Sequence, residues 1–417
     1  MELTNNTVFF GGGSCLKDAF VDLRQNFENP IVIDNDQSKE GTRIDEFQIH
    51  SPQVLRESNF NQIIITSSFI HEIQQQLAKE YHIDPQKINI YNYNKKIVEK
   101  WIPEPYSKGF RSNKNFSNLI ENLPKITRIK IECGEIDLYG VRHTMAEKAG
   151  FKSTPKTKTR WYHGWNALPL NDPKLLVTCG NFSELKNFTY LTNTQPEADL
   201  LSRNGFKNAT AVGSNFLYAK PHSLPSRIPK SVLVVPTHTT SRCAESCNIS
   251  QNVENIINQI EYSPEIIACC VGGNDALSLD NNIFSNLTFP SVTGAWTLDK
   301  NALKRMWMIF SAFETIITDA IGSHIAYALA CGTKVKIVES KNKINKDAIL
   351  TNEPFYKTNP NLLDFVLKEK TVARIRKNFP EIFAATTENE RISIGQKLLG
   401  NCNIKNINII NSLLGWE

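Results

Sequence analysis

What most limits the folds open to this chain is a repeated alternation of short apolar runs with amphipathic stretches of helical period. Val8–Phe10, Pro30–Asp34, Gln62–Thr66 and Lys87–Tyr91 read as buried strands, with helices at Leu16–Phe27, 52–58 and Ile70–Glu80 between them. Strands spaced this way pair in parallel, because a crossover helix carries the chain back to the starting edge, and helices then cover both faces of the sheet. The rhythm returns twice. Residues 94–125 lose periodicity around Pro103, Pro105 and Ser107-Lys108-Gly109 and read as a linker. Beyond it come strands Ile126–Glu132, Leu175–Thr178, Phe188–Leu191 and Ala209–Val212, with helices at Val141–Ala149 and Gln195–Asn204. The proline-punctuated stretch Pro221–Pro229 precedes a third series. Its expected strands are Ser231–Val235, Glu265–Val271, Ser291–Gly294, Thr315–Thr318 and Lys334–Val338, its helices Asn252–Glu261, Lys300–Phe313 and Ser323–Cys331, and a mostly helical tail follows. The expectation is an α/β protein with three parallel-sheet domains, at 1–95, 96–228 and 229–417.

A chain of 417 residues, 41% hydrophobic and 21% charged, is ordinary globular material and long enough for several cores. Its formal charge of +5 is too small and dispersed to point to nucleic acid as a partner. The excess is local: Lys148, Lys152, Lys156, Lys158 and Arg160 stand in 148–160 with no acid beyond Lys148, beside Gly150 and Pro155. That pattern is an exposed basic loop, suited to solvent, to anionic lipid headgroups or to a pyrophosphate-bearing acceptor. The polar N-terminus lacks a signal-peptide pattern, and no apolar run reaches the roughly 18 residues of a membrane span. A cytoplasmic protein, at most peripheral at an inner membrane, is expected. Nine cysteines without paired spacing fit reduced thiols.

Four stretches carry chemistry. Gly11-Gly12-Gly13-Ser14 follows a strand, with Asp34 about twenty residues on, which is the beginning of a dinucleotide fingerprint. Leu16 stands where the third glycine belongs, so a domain that binds no nucleotide tightly is an equal reading. Trp161-Tyr162-His163-Gly164-Trp165 offers aromatic faces around a titratable ring, suited to a sugar or to a plain aromatic core. Just upstream, Glu132, Glu135 and Asp137 follow a strand, where a carboxylate can act as a general base. In the third series the loops after successive strands carry polar groups: His238, Arg242 and Glu245, then Gly272-Gly273-Asn274, then Gly294 ahead of Asp299 and Arg305, then Asp319, Gly322, Ser323 and His324. In a parallel sheet such loops share one edge, so all four are expected to converge on one cleft, with the helix N–H groups at Ser323-His324 facing an anion. Simple helix caps at Ser323 and Asp299 are the structural alternative. A zinc site from His238, Cys243 and Cys247 matches no standard spacing.

Residues 7–92 resemble the small nucleotide-fold domain at the front of many bacterial surface-sugar enzymes. Residues 126–417 resemble bacterial glycosyltransferases of GT-B-like architecture that build capsule and O-antigen. The motifs are W-Y-H-G-W (161–165), A-V-G-S-N-F-L-Y (211–218), V-V-P-T-H (234–238), D-K-N-A-L-K-R-M (299–306), T-D-A-I-G-S-H-I-A-Y-A-L-A-C-G-T-K-V (318–335) and L-L-G-W (413–416). The resemblance implies three Rossmann-like domains, the last two paired across an interdomain cleft. It also implies a CMP-, UDP- or GDP-sugar donor bound by the last domain and a glycan or lipid-linked acceptor held by the one before. A CMP-activated acidic sugar such as Kdo is one such donor. The expected donor-binding residues are His238, Arg242, Asn274, Gly294, Arg305, Asp319, Gly322, Ser323 and His324. Glu135 or His163 is the expected base for an inverting reaction, and Glu245 the nucleophile for a retaining one. No Asp-x-Asp motif stands where a metal-dependent enzyme would need it, so no cofactor or metal is expected. Rival readings are a teichoic-acid-like polyol-phosphate transferase, a non-catalytic glycan- or nucleotide-binding subunit, and an NAD-dependent sugar-modifying enzyme built on residues 1–95.

Overall fold

Among the described residues, fifteen short strands collect into three sheets. The computed structural model describes residues 7–24, 26–27, 29–67, 70–92, 96–100, 114–177, 182–237, 249–273, 290–340 and 346–416. These fall into two compact units, one drawn from Met1–Tyr106 and one from Ser107–Asn274 with Leu287–Glu417.

The first unit holds β1 (Thr7–Phe10), β2 (Ile31–Ile33), β3 (Arg43–Ile44), β4 (Phe47–His50), β5 (Gln62–Ile65), β6 (Ile88–Asn92) and β7 (Ile97–Lys100) in the order β3-β4-β2-β1-β5-β6-β7. Its five inner strands are parallel, and both edge strands run antiparallel. Alternate residues serve opposite faces: Val8, Phe10, Ile63 and Ile65 pack in one core, Phe9, Val32 and Ile64 in another. Both faces are therefore covered, as unbroken apolar strands require. The glycine turn closes this sheet on itself. A Cβ on Gly11 (φ +124°) would lie 2.9 Å from the Thr66 carbonyl oxygen, and one on Gly12 would lie 2.7 Å from Ile49. Leu16 is wholly buried, and Asp34 is paired with Lys39 at 2.9 Å. Gly11, Gly12 and the acid of the partial fingerprint are thus engaged within the unit.

The second unit carries two sheets over one continuous core. β8 (Arg160–Trp161), β9 (Thr189–Thr192) and β10 (Asn208–Ala211) form a parallel sheet in the order β10-β9-β8. β11 (Ile228–Val235), β12 (Ile266–Val271), β13 (Ser291–Thr293), β14 (Phe313–Thr318) and β15 (Lys334–Ile337) form a parallel sheet ordered β13-β12-β11-β14-β15. Residues of both sheets and their helices, from Ile136 and Trp161 to Ile325 and Trp416, share this core. At its centre the Phe216 ring stacks on Trp307 at 4.6 Å and on Tyr327 at 4.0 Å, while Trp307 Nε1 donates to the Phe216 carbonyl. The expected boundary at 228/229 falls inside this unit.

Some local expectations give way to tertiary context. Among the described residues the segment 126–132 pairs only as an antiparallel bridge, Arg128 with Asp299, because its Ile129 N–H and Thr127 carbonyl are taken by the Leu298 and Lys300 backbone of the turn ahead of a helix rather than by a strand. Around Leu175 there is a 3-10 turn, Pro173–Leu175, capped by the Asp172 side chain rather than a strand. Residues 52–56 likewise form a 3-10 turn. Within the basic loop, Lys148, Lys152, Lys156 and Lys158 are exposed, whereas Arg160 turns inward over the Phe188 ring. No helix among the described residues is long and apolar enough to cross a membrane.

The helix Ser323–Ala330 is buried along almost its whole length and meets the helix Glu388–Leu398 at Gly395, where a Cβ would stand 2.1 Å from the Ala330 amide nitrogen. Helix propensity alone favours alanine over glycine by about 1 kcal/mol. The clash is with backbone, which cannot rotate away, and overpacking costs about 1–3 kcal/mol. Gly395→Ala is accordingly expected to lower stability in urea denaturation, whereas propensity alone predicts a gain.

Candidate functional site

In the five-stranded sheet the chain leaves β11 toward β12 and β13 and later returns to the other side with β14 and β15, so the direction of winding reverses between β11 and β14. Ligands of open parallel sheets bind at such a point, outside the carboxyl ends of the strands. A cavity of about 340 Å³ lies here, with Pro236, Gly272, Gly273, Gly294, Ser323 and His324 among its walls and Tyr139 and His163 closing it. The described parts of the four loops therefore converge.

Asp319 holds this edge together without lining the cavity. Its Oδ1 accepts from the Thr237 N–H and hydroxyl, and its Oδ2 from Asn252 Nδ2 and the Ser340 hydroxyl. All of its charge is spent on fastening β11, a helix and the end of β15, so its expected role as a ligand for the donor gives way to a structural one. Arg305 is similarly engaged. Its guanidinium is buried and donates to the Pro124 and Thr293 carbonyls at 2.6 and 2.7 Å, away from the cavity walls. Asp299, buried beside it, accepts from the Thr127 and Asn301 N–H groups just ahead of the helix Ala302–Ala312.

Gly322 is the N-cap of the helix Ser323–Ala330, in extended backbone, and as a glycine it brings no side chain of its own to cap the first turn. Ser323 is thus the first helical residue rather than the cap. Its hydroxyl accepts the Trp165 N–H at 3.0 Å. That bond needs Gly164: at φ +84° a Cβ there would fall 1.9 Å from Ser323 Oγ. His324 Nε2 meets the Thr318 hydroxyl at 3.0 Å, which fixes the imidazole beside the first turn of the helix.

The three carboxylates at 132–137 separate by environment. Asp137, fully buried, accepts the Glu132 and Cys133 N–H groups and Arg142 Nε, and Arg142 also binds Glu132 and the Thr154 and Pro155 carbonyls. Glu135 is left to face a second cavity of about 230 Å³, with Tyr162, His163, Asn166, Lys174 and Lys370. His163 and Gly322 line both cavities. Burial pushes the Glu135 carboxyl up to about 7, against a downward pull from Arg160, and pushes the His163 imidazole down to about 4. Both side chains keep some surface because they face cavities, while protein crowds out most of the water around them.

His238, Arg242, Glu245 and Asn274 lie outside the described residues; in sequence they directly follow the cavity-lining Pro236 and Gly273 or stand close by. Tyr139, Tyr327, Lys174 and Lys370 were not singled out by sequence reasoning. Lys370 follows a tail helix, Pro360–Glu369, whose pattern reads as plain amphipathic packing, and nothing local marks it as a wall residue.

The class defined by this fold and site is a parallel α/β protein with a ligand cavity at the switch point of its last sheet. Among known proteins, a family model described as "C2185-like, N-terminal" matches residues 3–89. No curated protein matches the chain. Solved structures that run the length of the chain include S. aureus MnaA with UDP (10% identity, 99% of this chain and 96% of that one, TM-score 0.31). Another is UDP-GlcNAc 2-epimerase from Neisseria meningitidis bound to UDP-GlcNAc (10%, 98% and 99%, TM-score 0.29). A third is the wall teichoic acid polymerase TagF (10%, 98% and 88%, TM-score 0.28). Likenesses this distant leave the activity to be argued from the site itself.

The two shifted groups have opposite effects on stability. Between pH 4.5 and 7 the unfolded chain has released the Glu135 proton while the folded chain keeps it, so stability falls as pH rises across that window. His163 acts the other way between about pH 4 and 6.5, where the unfolded chain binds the extra proton. Glu135→Gln removes the first effect alone. Its stability relative to the parent, measured by denaturation at several pH values, is expected to rise from pH 4.5 to 7 by at most about 3 kcal/mol.

Proposed function

We propose that the second unit is a glycosyltransferase that moves a sugar from a nucleotide-activated donor to a surface polysaccharide or lipid-linked glycan, its two sheets acting as a GT-B-like pair. The observation that carries this reading is the first cavity: it lies at the switch point, ringed by glycines, at the start of the helix Ser323–Ala330. Amides of a helix first turn favour an anion, and glycines let a nucleotide approach the backbone. The donor phosphate is assigned to the Ser323 and His324 amides and the His324 ring, beside Gly322 and Gly294. His238, Arg242 and Asn274 are proposed to complete that site from the loops that continue its walls. CMP-activated acidic sugars are the preferred donors, since one phosphate needs one helix terminus.

In the inverting form, an acceptor hydroxyl attacks the anomeric carbon from the side of the second cavity and the bond to the phosphate breaks. The nucleotide leaves with the electron pair, and the hydroxyl proton passes to the Glu135 carboxylate. A base with a pKa near 7 is matched to that task. His163, neutral at this pH, stands between the two cavities and orients the attacking group. Glu245 is reserved for a retaining reaction. The reading requires no resident cofactor or metal, and the four exposed lysines of 148–160 are proposed to rest on anionic headgroups at an inner membrane.

A thermal-shift screen of CMP, UDP, GDP and CDP is expected to show one nucleotide raising the melting temperature, because a ligand bound only by the folded state stabilises it. His324→Ala should weaken that nucleotide about tenfold or more, the loss of one charge-assisted contact. If none of the four stabilises the chain, the donor site is wrong. With the nucleotide's sugar as donor, turnover is expected to rise with pH through about 7 and level off, and Glu135→Gln should lose about 10²–10⁴-fold in rate while still binding nucleotide. An unchanged rate in Glu135→Gln would remove it as the base.

A further inference from the structure

The charge of the second cavity is not explained by its being a place for any hydroxyl. Its charged wall groups are two lysines, Lys174 and Lys370, and one carboxylate, Glu135, with neutral His163 between them. Lys174 is anchored, its ammonium donating to Asn359 Oδ1 at 2.7 Å. Lys370 differs. It is an exposed residue that lines the cavity, and the protein around it pushes its pKa below the ordinary lysine value. Among the described residues no carboxylate pairs with it. An ammonium that lines a cavity and has no carboxylate partner among the described residues is a natural attractor for an anion.

A second group points the same way. Asn166 accepts the Leu168 N–H through Oδ1, which fixes how its amide lies, and its Nδ2 is buried without a hydrogen-bond partner. It is a donor held ready for an acceptor atom. The faces of Tyr162, Trp165 and Phe355 supply the apolar walls against which a sugar ring stacks. A neutral sugar could offer hydroxyl oxygens to both donors but would leave the Lys370 charge without a counter-charge.

We propose that the second cavity takes the acceptor of the transfer reaction and selects one whose terminal sugar bears an acid group, a carboxylate or a phosphate, held by Lys370 and Asn166. This rests on the donor being bound in the first cavity. It goes beyond that reading by naming the acceptor's chemistry and the two side chains that recognise it. The sugar ring then lies on the aromatic walls, with a hydroxyl turned toward Glu135 and the shared wall at His163 and Gly322.

Calorimetric titration of the full chain near neutral pH with sodium glucuronate, glucose 6-phosphate and glucose reads this directly, without donor. At least one of the acids is expected to bind about tenfold or more tighter than glucose, the scale of one charge-assisted contact. Whichever acid binds tighter identifies carboxylate or phosphate as the group. Lys370→Met is expected to erase the preference, and Lys370→Arg, which keeps the charge, to retain it. Glucose binding as tightly as both acids, or a preference that survives Lys370→Met, overturns the proposal; should the methionine variant fail to fold, loss of preference in the folded arginine variant overturns it as well. Nucleotide titration of the same samples reports the first cavity separately. Absence of nucleotide binding with acid preference intact would sink the donor assignment and leave the acid-selective cavity standing.

Discussion

A buried carboxylate must be surrounded by donors, and the four that Asp319 gathers decide where the elements of the last sheet stop. β11 ends where the Thr237 N–H must turn to it, the helix Ile249–Ile257 is oriented by Asn252, and the chain just past the end of β15 is held through Ser340. Because one side chain fastens all three, the turn after Asp319 is free to project Gly322 and the helix start outward. The cavity is what remains between the loops once this knot is tied.

A second constraint is how closely the two halves of the unit approach. Three glycines remove side chains where one segment presses on another: Gly164 against Ser323, Gly140 against the Lys300 carbonyl, and Gly395 against the Ala330 backbone. Each is a contact that any larger residue would wedge open. Two of them, Gly164 and Gly140, flank the segments that bring Tyr139, Tyr162 and His163 to the cavities, so the position of the titratable groups is set by backbone contact. Burial then sets their protonation, and it moves the carboxyl and the imidazole in opposite directions for the same reason, namely that the charged form of each is disfavoured.

Strand and helix alternation made the parallel strands of the three sheets legible, though not the antiparallel edges of the first, and the strand–Asp–Gly–helix break at 318–324 made the edge of the cavity legible, since these are local patterns with local causes. Roles that depend on what stands opposite were not. Asp319 and Arg305 have the same sequence character as ligand-binding residues, and only the donors and carbonyls that folding brings to them show that they are structural. Glu132, Glu135 and Asp137 look alike on paper; Arg142 claims two of them and leaves the third. Leu175 has the apolar neighbours of a strand, but Asp172 and Pro173 bend the chain into a turn before a strand can form. Lys370 lies more than 200 residues from Glu135 in sequence, and no spacing rule connects them.

The two cavities have His163 and Gly322 in common, so only the thickness of a ring and a backbone separates their contents. On the donor and acceptor assignments proposed above, compounds that fasten a nucleotide to a sugar acid through a short tether would occupy both at once, the first half raising the local concentration of the second. For a chemist seeking a selective ligand, that thin partition is a better starting point than either chamber alone.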